Sequence, residues 1–195
     1  YSNLTEVFER AKEINNSLNR ALDDFQNIIS KKIEEIKSGI ELFSGFDIEM
    51  LISNLKTEGN PQKKGQLLES LIVKILEQIN GFEITGRVRT ATEEIDLVIL
   101  NTSTSEFWKK ESPVILVEAK NRADKKTDKN DIVQFISKVK NRRGRSKLGI
   151  IISNAPFTRT VKDELLRSSE GDIVILPILL SDVIANYNDI EKLII

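Results

Sequence analysis

The strongest constraint on the fold is a pair of short apolar runs, Val114-Ile115-Leu116-Val117 and Gly149-Ile150-Ile151-Ile152. Successive strand side chains point to opposite faces, so a run without alternation is apolar on both sides. Such strands need cover above and below, which predicts a central sheet between layers of helix. The flanking pattern supplies that cover. Leu67, Leu68, Leu71, Ile72, Ile75, Leu76 and Ile79 share one face of a helix expected from about Lys63 to Ile79. Strands are expected over 82–90, 94–101 and 113–121, and the tract with Phe107, Trp108, Lys109 and Lys110 reads as a loop. A helix over 129–142, a strand over 147–154, a helix over 158–169, a strand over 172–178 and a short helix from Ser181 follow. The fold class expected for residues 59–195 is therefore α/β, a central sheet flanked by helices.

Residues 1–58 read differently. Leu4, Val7, Ala11, Ile14, Leu18, Ala21, Phe25 and Ile28 recur three and four apart, and Ile33, Ile36 and Ile40 continue the stripe. A narrow stripe sustained over several heptads predicts a coiled-coil seam or a long helix pair, and with it a homodimer. Asp47 is placed to cap a short helix over 48–56, and Gly59-Asn60-Pro61 reads as a linker. The chain opens on Tyr1, which points to a processed or trimmed piece of a longer protein, and shows no signal-peptide pattern. No apolar run approaches the ~20 residues needed to span a bilayer, so the expected location is the cytoplasm.

The 195 residues contain neither histidine nor cysteine. That removes serine–histidine triads, thiol nucleophiles, disulfides and nearly every transition-metal site. Remaining chemistry must use carboxylates, lysine, hydroxyls and hard, oxygen-ligated cations. Charge is close to balance, 29 Lys and Arg against 30 Asp and Glu, but residues 120–147 hold eleven basic residues against three acidic ones. A local field of about +8 suits a polyanion, although a solvated helix face would look the same.

Several charges sit where apolar residues belong. The strand that begins Val114-Ile115-Leu116-Val117 ends in Glu118-Ala119-Lys120, and alternation puts Glu118 and Lys120 on the face of Val114 and Leu116. In the preceding strand Asp96 is expected to share a face with Val98 and Leu100. On the helix before them, Glu69 lies at the border of the buried face. Burying any of these alone costs on the order of several kcal/mol, so each needs a partner or a cation. Taken singly, each has an ordinary explanation: a frayed strand end, a pair with Arg87 or Arg89, a border residue. Together they form a set of hard oxygen ligands beside a lysine, which suits Mg2+ or Mn2+.

At these residues the chain resembles the PD-(D/E)xK nuclease superfamily, most closely its Mrr-like restriction-endonuclease branch. The motif reads Gly65-Gln66-Leu67-Leu68-Glu69, then Glu94-Ile95-Asp96, then Val117-Glu118-Ala119-Lys120, with Gln134 in Asp131-Ile132-Val133-Gln134-Phe135. Ile95 stands in place of the name-giving proline, and Lys138 where an aromatic is frequent. The resemblance covers residues 62–187 and implies a metal-dependent endonuclease acting on DNA, in restriction or phage defence. It implies Asp96, Glu118 and the Ala119 carbonyl as metal ligands, with Glu69 acting through a second metal or a water. It gives Lys120 and Gln134 the task of orienting the attacking water. Arg122, Lys125, Lys126, Lys129, Arg142, Arg143 and Arg145 would contact phosphates. Two other readings compete: a nuclease for RNA or branched DNA, and a non-catalytic coiled-coil protein that only binds nucleic acid. A cleavage assay with and without magnesium separates the last from the others.

Overall fold

The computed structural model describes residues 47–195 apart from 90–93, 123, 170 and 171, together with scattered positions between 10 and 24. The chain divides into two compact units, Tyr1–Leu42 and Phe43–Ile195. The stripe from Leu4 to Ile40 lies almost wholly outside the described residues.

The second unit starts with a helix that the sequence places on the other side of the linker. Helix α1 (Ile48–Thr57) begins at Asp47, whose carboxylate accepts from the Met50 N–H at 2.7 Å. Its Leu51 and Leu55 are buried in the same core as the sheet, and the second compact unit spans Phe43–Ile195. The expected linker serves as a helix start. Asn60 caps α2 (Pro61–Leu76), its side chain accepting from Gln62 and Lys63, and Pro61 takes the first helical position, where its missing N–H costs nothing.

Five strands form the central sheet in the order β1 (Phe82–Thr85), β4 (Leu97–Asn101), β5 (Val114–Lys120), β6 (Leu148–Ser153), β7 (Val174–Leu179). The β1–β4 and β4–β5 pairs are antiparallel; β5–β6 and β6–β7 are parallel. Pro177 is accommodated because β7 is an edge strand. The expected strand over 82–90 is two pieces: after β1 the chain leaves the sheet, and β2 (Val88–Arg89) pairs with β3 (Glu94–Ile95) in a separate ribbon.

The doubly apolar strands are covered as their composition requires. Val117, Ile150 and Ile152 face α1, α2, α5 (Leu180–Ala185) and α6 (Ile190–Ile194). Leu116 and Ile151 face α3 (Lys129–Lys140) and α4 (Arg159–Ser169), through Ile132, Phe135, Ile136, Val139 and Val161. Gly149 leaves room for α3, since a Cβ there would stand 2.8 Å from both Phe135 and Ile175. The tract around Trp108 is a turn of 3-10 helix that buries only the Trp108 side chain, with the indole N–H donating to Glu191 at 2.7 Å and the ring edge-on to Phe82. Among the described residues no helix is long and apolar enough to cross a membrane.

Candidate active site

Strand polarity decides which residues meet. β5, β6 and β7 run the same way, and β4 runs against them, so the C-terminal ends of three strands and the N-terminal end of β4 share one edge of the molecule. That edge carries Asp96, Glu118, Lys120, Asn121 and Asn154.

Glu118 lies on the α3 side of β5, in line with Leu116, and is only 5% exposed. Both of its oxygens are occupied. Lys120 Nζ donates to Oε1 and Lys138 Nζ to Oε2, each at 2.7 Å. Lys120 follows from strand alternation. Lys138 comes from the third turn of α3 and is the functional residue that sequence reasoning passed over. Its signal was a lysine on the same helix face as the buried Ile132, Asp131 and Phe135, at one border of the stripe. Gln134, one turn earlier, is exposed, so Lys138 is the α3 side chain that reaches Glu118.

Asp96 is not within a strand. The chain bends there between β3 and β4, so the expected alternation with Val98 and Leu100 is broken at Asp96. The bend has a use. The last β4–β5 rung is Leu97↔Val117, and beyond it the Ala119 N–H donates to Asp96 Oδ2 at 2.8 Å. The carboxylate replaces a missing ladder acceptor, and the Ala119 carbonyl points to the same edge, because both backbone groups of a strand residue point the same way. Burial pushes the Asp96 carboxyl above its usual range, and the Glu118 charge pushes it further.

Glu69 approaches from the opposite face, on α2. Arg87, after β1, pairs with Glu69 and also with Glu94 at 3.3 Å. Burial raises the Glu69 carboxyl to about 7, against the pull of Arg87, and Asp96 adds to the rise. Burial also opposes the Arg87 charge, but its acidic neighbours more than offset this. Of the three expected carboxylates, Asp96 and Glu118 are electrostatic neighbours, and Glu69 communicates with them through Asp96. Among the described residues no three acidic side chains converge on one point.

Two carboxylates are nonetheless a fitting donor set for magnesium, which binds through one or two carboxylates and completes its shell with water and substrate phosphate. The donors are hard oxygens, and the mutual repulsion of Asp96 and Glu118 is what a cation relieves. Such a cation has to compete with the two ammonium groups on Glu118.

The strand ends are tied down. The Asn154 N–H donates to the Lys120 carbonyl, the Arg122 N–H to Asn154 Oδ1 at 2.7 Å, and Asn154 Nδ2 to Asn121 Oδ1 at 2.9 Å. Buried Thr127 and Ser153 join their hydroxyls at 2.7 Å, fixing the segment after Lys120 against β6. Among the described residues every buried side-chain nitrogen and oxygen has a partner.

The basic window is divided by the fold. Arg122 makes a bidentate pair with buried Asp131 at 2.6 and 2.8 Å, and Lys125 lies 3.5 Å from Asp128. Lys126 and Lys129 are exposed near the start of α3, at the edge of the sheet that carries Lys120. Arg142, Arg143 and Arg145 follow the end of α3, and the Arg145 carbonyl accepts from the Val114 N–H at the start of β5. They stand a strand length, roughly 20 Å, from Lys120.

The restriction endonuclease family model Mrr_cat matches residues 62–178, more than half of the chain. No curated protein matches the chain. Among solved structures the chain is similar to a protein of unknown function, AF1548, with 16% identity and a TM-score of 0.41. That alignment covers 56% of this chain and 55% of the other, so the chain spans about half the length of that relative. The mixed five-stranded sheet with helices on both faces fits the restriction-endonuclease-like α/β core of the Mrr_cat family. The chain belongs to the Mrr-like restriction endonuclease family of the PD-(D/E)xK nuclease superfamily.

Proposed function

We propose that the protein is a Mg2+- or Mn2+-dependent endonuclease that hydrolyses DNA phosphodiesters, in the restriction or defence setting typical of its family. One observation carries the reading: the Asp96 carboxylate accepts from the Ala119 N–H at 2.8 Å, beside buried Glu118 at the end of β5, with the Lys120 ammonium 2.7 Å from Glu118. Asp96, Glu118 and the Ala119 carbonyl would hold the cation. When bound, it supplies a Lewis acid that makes water a better nucleophile and screens the phosphate charge. Lys120 would hold the attacking water and balance the negative charge that grows on the phosphoryl oxygens. Lys138 holds the second oxygen of Glu118 and fixes the carboxylate plane. Arg87, anchored by Glu69, adds a positive charge beside Asp96. A water oxygen bonds to phosphorus as the phosphorus–oxygen bond to the leaving sugar breaks, and the leaving oxygen takes up a proton.

Lys120 is the residue on which the test turns. Lys120→Ala is expected to lower kcat for magnesium-dependent DNA cleavage at least ~100-fold while DNA affinity in EDTA stays unchanged. Asp96→Ala is expected to lose magnesium affinity as well, read by calorimetry. A Lys120→Ala protein cutting at the wild-type rate would rule out this mechanism.

A further inference from the structure

A cleft of about 190 Å3 opens beside the catalytic strand, between α1, α2 and α5. Its wall is Asn121, the residue after Lys120, with Asn154 at the end of β6. Its floor is aliphatic, from Leu55, Leu180 and Ile184, and Lys56 and Lys64 stand at its rim.

The two lysines are the informative part. Lys64 is half-buried, and among the described residues neither it nor Lys56 has a carboxylate within ion-pair distance. Partly desolvating an ammonium without a counter-charge is unfavourable. Lys64 also sits in the first turn of α2, which has no acidic residue. The positive end of the helix dipole, roughly +0.5 charge, disfavours a cation there. A lysine set against both local rules is expected where it serves a ligand. The ligand must be anionic, and it must reach the end of β5. Lys126 and Lys129 flank that end from the α3 side, whereas the arginines after α3 lie at the other end of the sheet.

We propose that this cleft holds the sugar–phosphate backbone of the cleaved strand, on the α1–α2 side of the scissile phosphate. Lys56 and Lys64 each meet a phosphate, the aliphatic floor meets the sugar between them, and the Asn121 amide donates to a phosphate oxygen. The assignment rests on the nuclease reading above and extends it, because neither lysine lies in the basic window.

The test uses the full chain, a short fluorescent DNA duplex, and EDTA to prevent cleavage, with affinity followed against salt. Each phosphate contact contributes roughly 0.9 to the slope of log affinity on log salt. Lys56→Gln/Lys64→Gln is expected to lower the slope by about two and weaken binding about tenfold at moderate salt. Arg142→Gln/Arg143→Gln/Arg145→Gln, which removes more charge at the far end, is expected to change it less. Both lysines reach solvent, so the melting temperature should hold. Lys56→Gln alone, at an exposed position, should still lose about one unit of slope. An unchanged slope in the double variant, or failure of the wild type to bind the duplex, overturns the proposal. Cleavage is read separately in magnesium. A wild type that cuts, with no slope change in the variant, removes the cleft and leaves the nuclease. A lowered slope with a wild type that never cuts leaves the cleft and removes the nuclease.

Discussion

Glu118 illustrates how a buried charge is kept at the end of a core strand. Its carboxylate is nearly inaccessible, and two ammonium groups hold its two oxygens. Removing one partner leaves the charge half compensated. Lys138→Met should cost ~1–3 kcal/mol in urea unfolding, and Lys138→Arg should restore most of it. Glu69 makes a prediction of the opposite kind. Burial raises its carboxyl from 4.5 to about 7, so the folded protein binds a proton that the unfolded chain releases. The associated stability is complete below about pH 4.5 and is lost as pH rises through about 7. In metal-free buffer the melting temperature should fall between about pH 5 and pH 8, and Glu69→Gln should flatten that fall.

At the scale of elements, α3 does two jobs with one acidic residue. Asp131 closes the capping box with Asp128 at the helix start and accepts both arms of the Arg122 guanidinium. Arg122 therefore braces the segment after β5. Arg122→Ala is expected to destabilise by about 2–4 kcal/mol, since buried Asp131 loses its counter-charge, an effect absent from Lys126→Ala. Gly149 sets the distance between β6 and α3. Adding one methyl there should cost ~1–3 kcal/mol, measured by the same urea titration. Elements with strong periodicity, such as α2 and the apolar runs of β5 and β6, were legible because burial alone dictates their pattern. The bend at Asp96 was not. An acidic residue in a strand-like stretch looks the same whether it lies in the ladder or caps the ladder's end.

For the whole molecule, charge and mass are arranged differently from their order in sequence. The basic window spans 120–147, yet α3 carries it from one end of the sheet to the other. The proposed phosphate contacts near Lys120 would then fall to residues from distant parts of the chain. The two-unit division suggests a further experiment. Residues 43–195 contain a complete core and should fold alone as a monomer, whereas the full chain is expected to dimerise through its first segment. Light scattering on both proteins across the micromolar range checks this, and a monomeric full chain would count against the dimer.

By itself the sequence determined the chemistry available and the class of the fold. Without histidine or cysteine, the chemistry left is that of carboxylates, lysines, hydroxyls and hard cations, and strands apolar on both faces need a layer of cover above and below. It also determined that Glu118 and Lys120 share a face, because alternation along a strand is a local rule. Only the tertiary structure decided which side chains meet that face. Lys138 reaches Glu118, Gln134 does not, and Glu69 comes from the far side of the sheet, paired with Arg87. Those outcomes depend on where α2 and α3 dock and on strand direction, and neither is encoded in the spacing of residues along any one element. Lys56 and Lys64 come to the end of β5 for the same reason: α1 and α2 pack there to bury their leucines, and the lysines are carried with them.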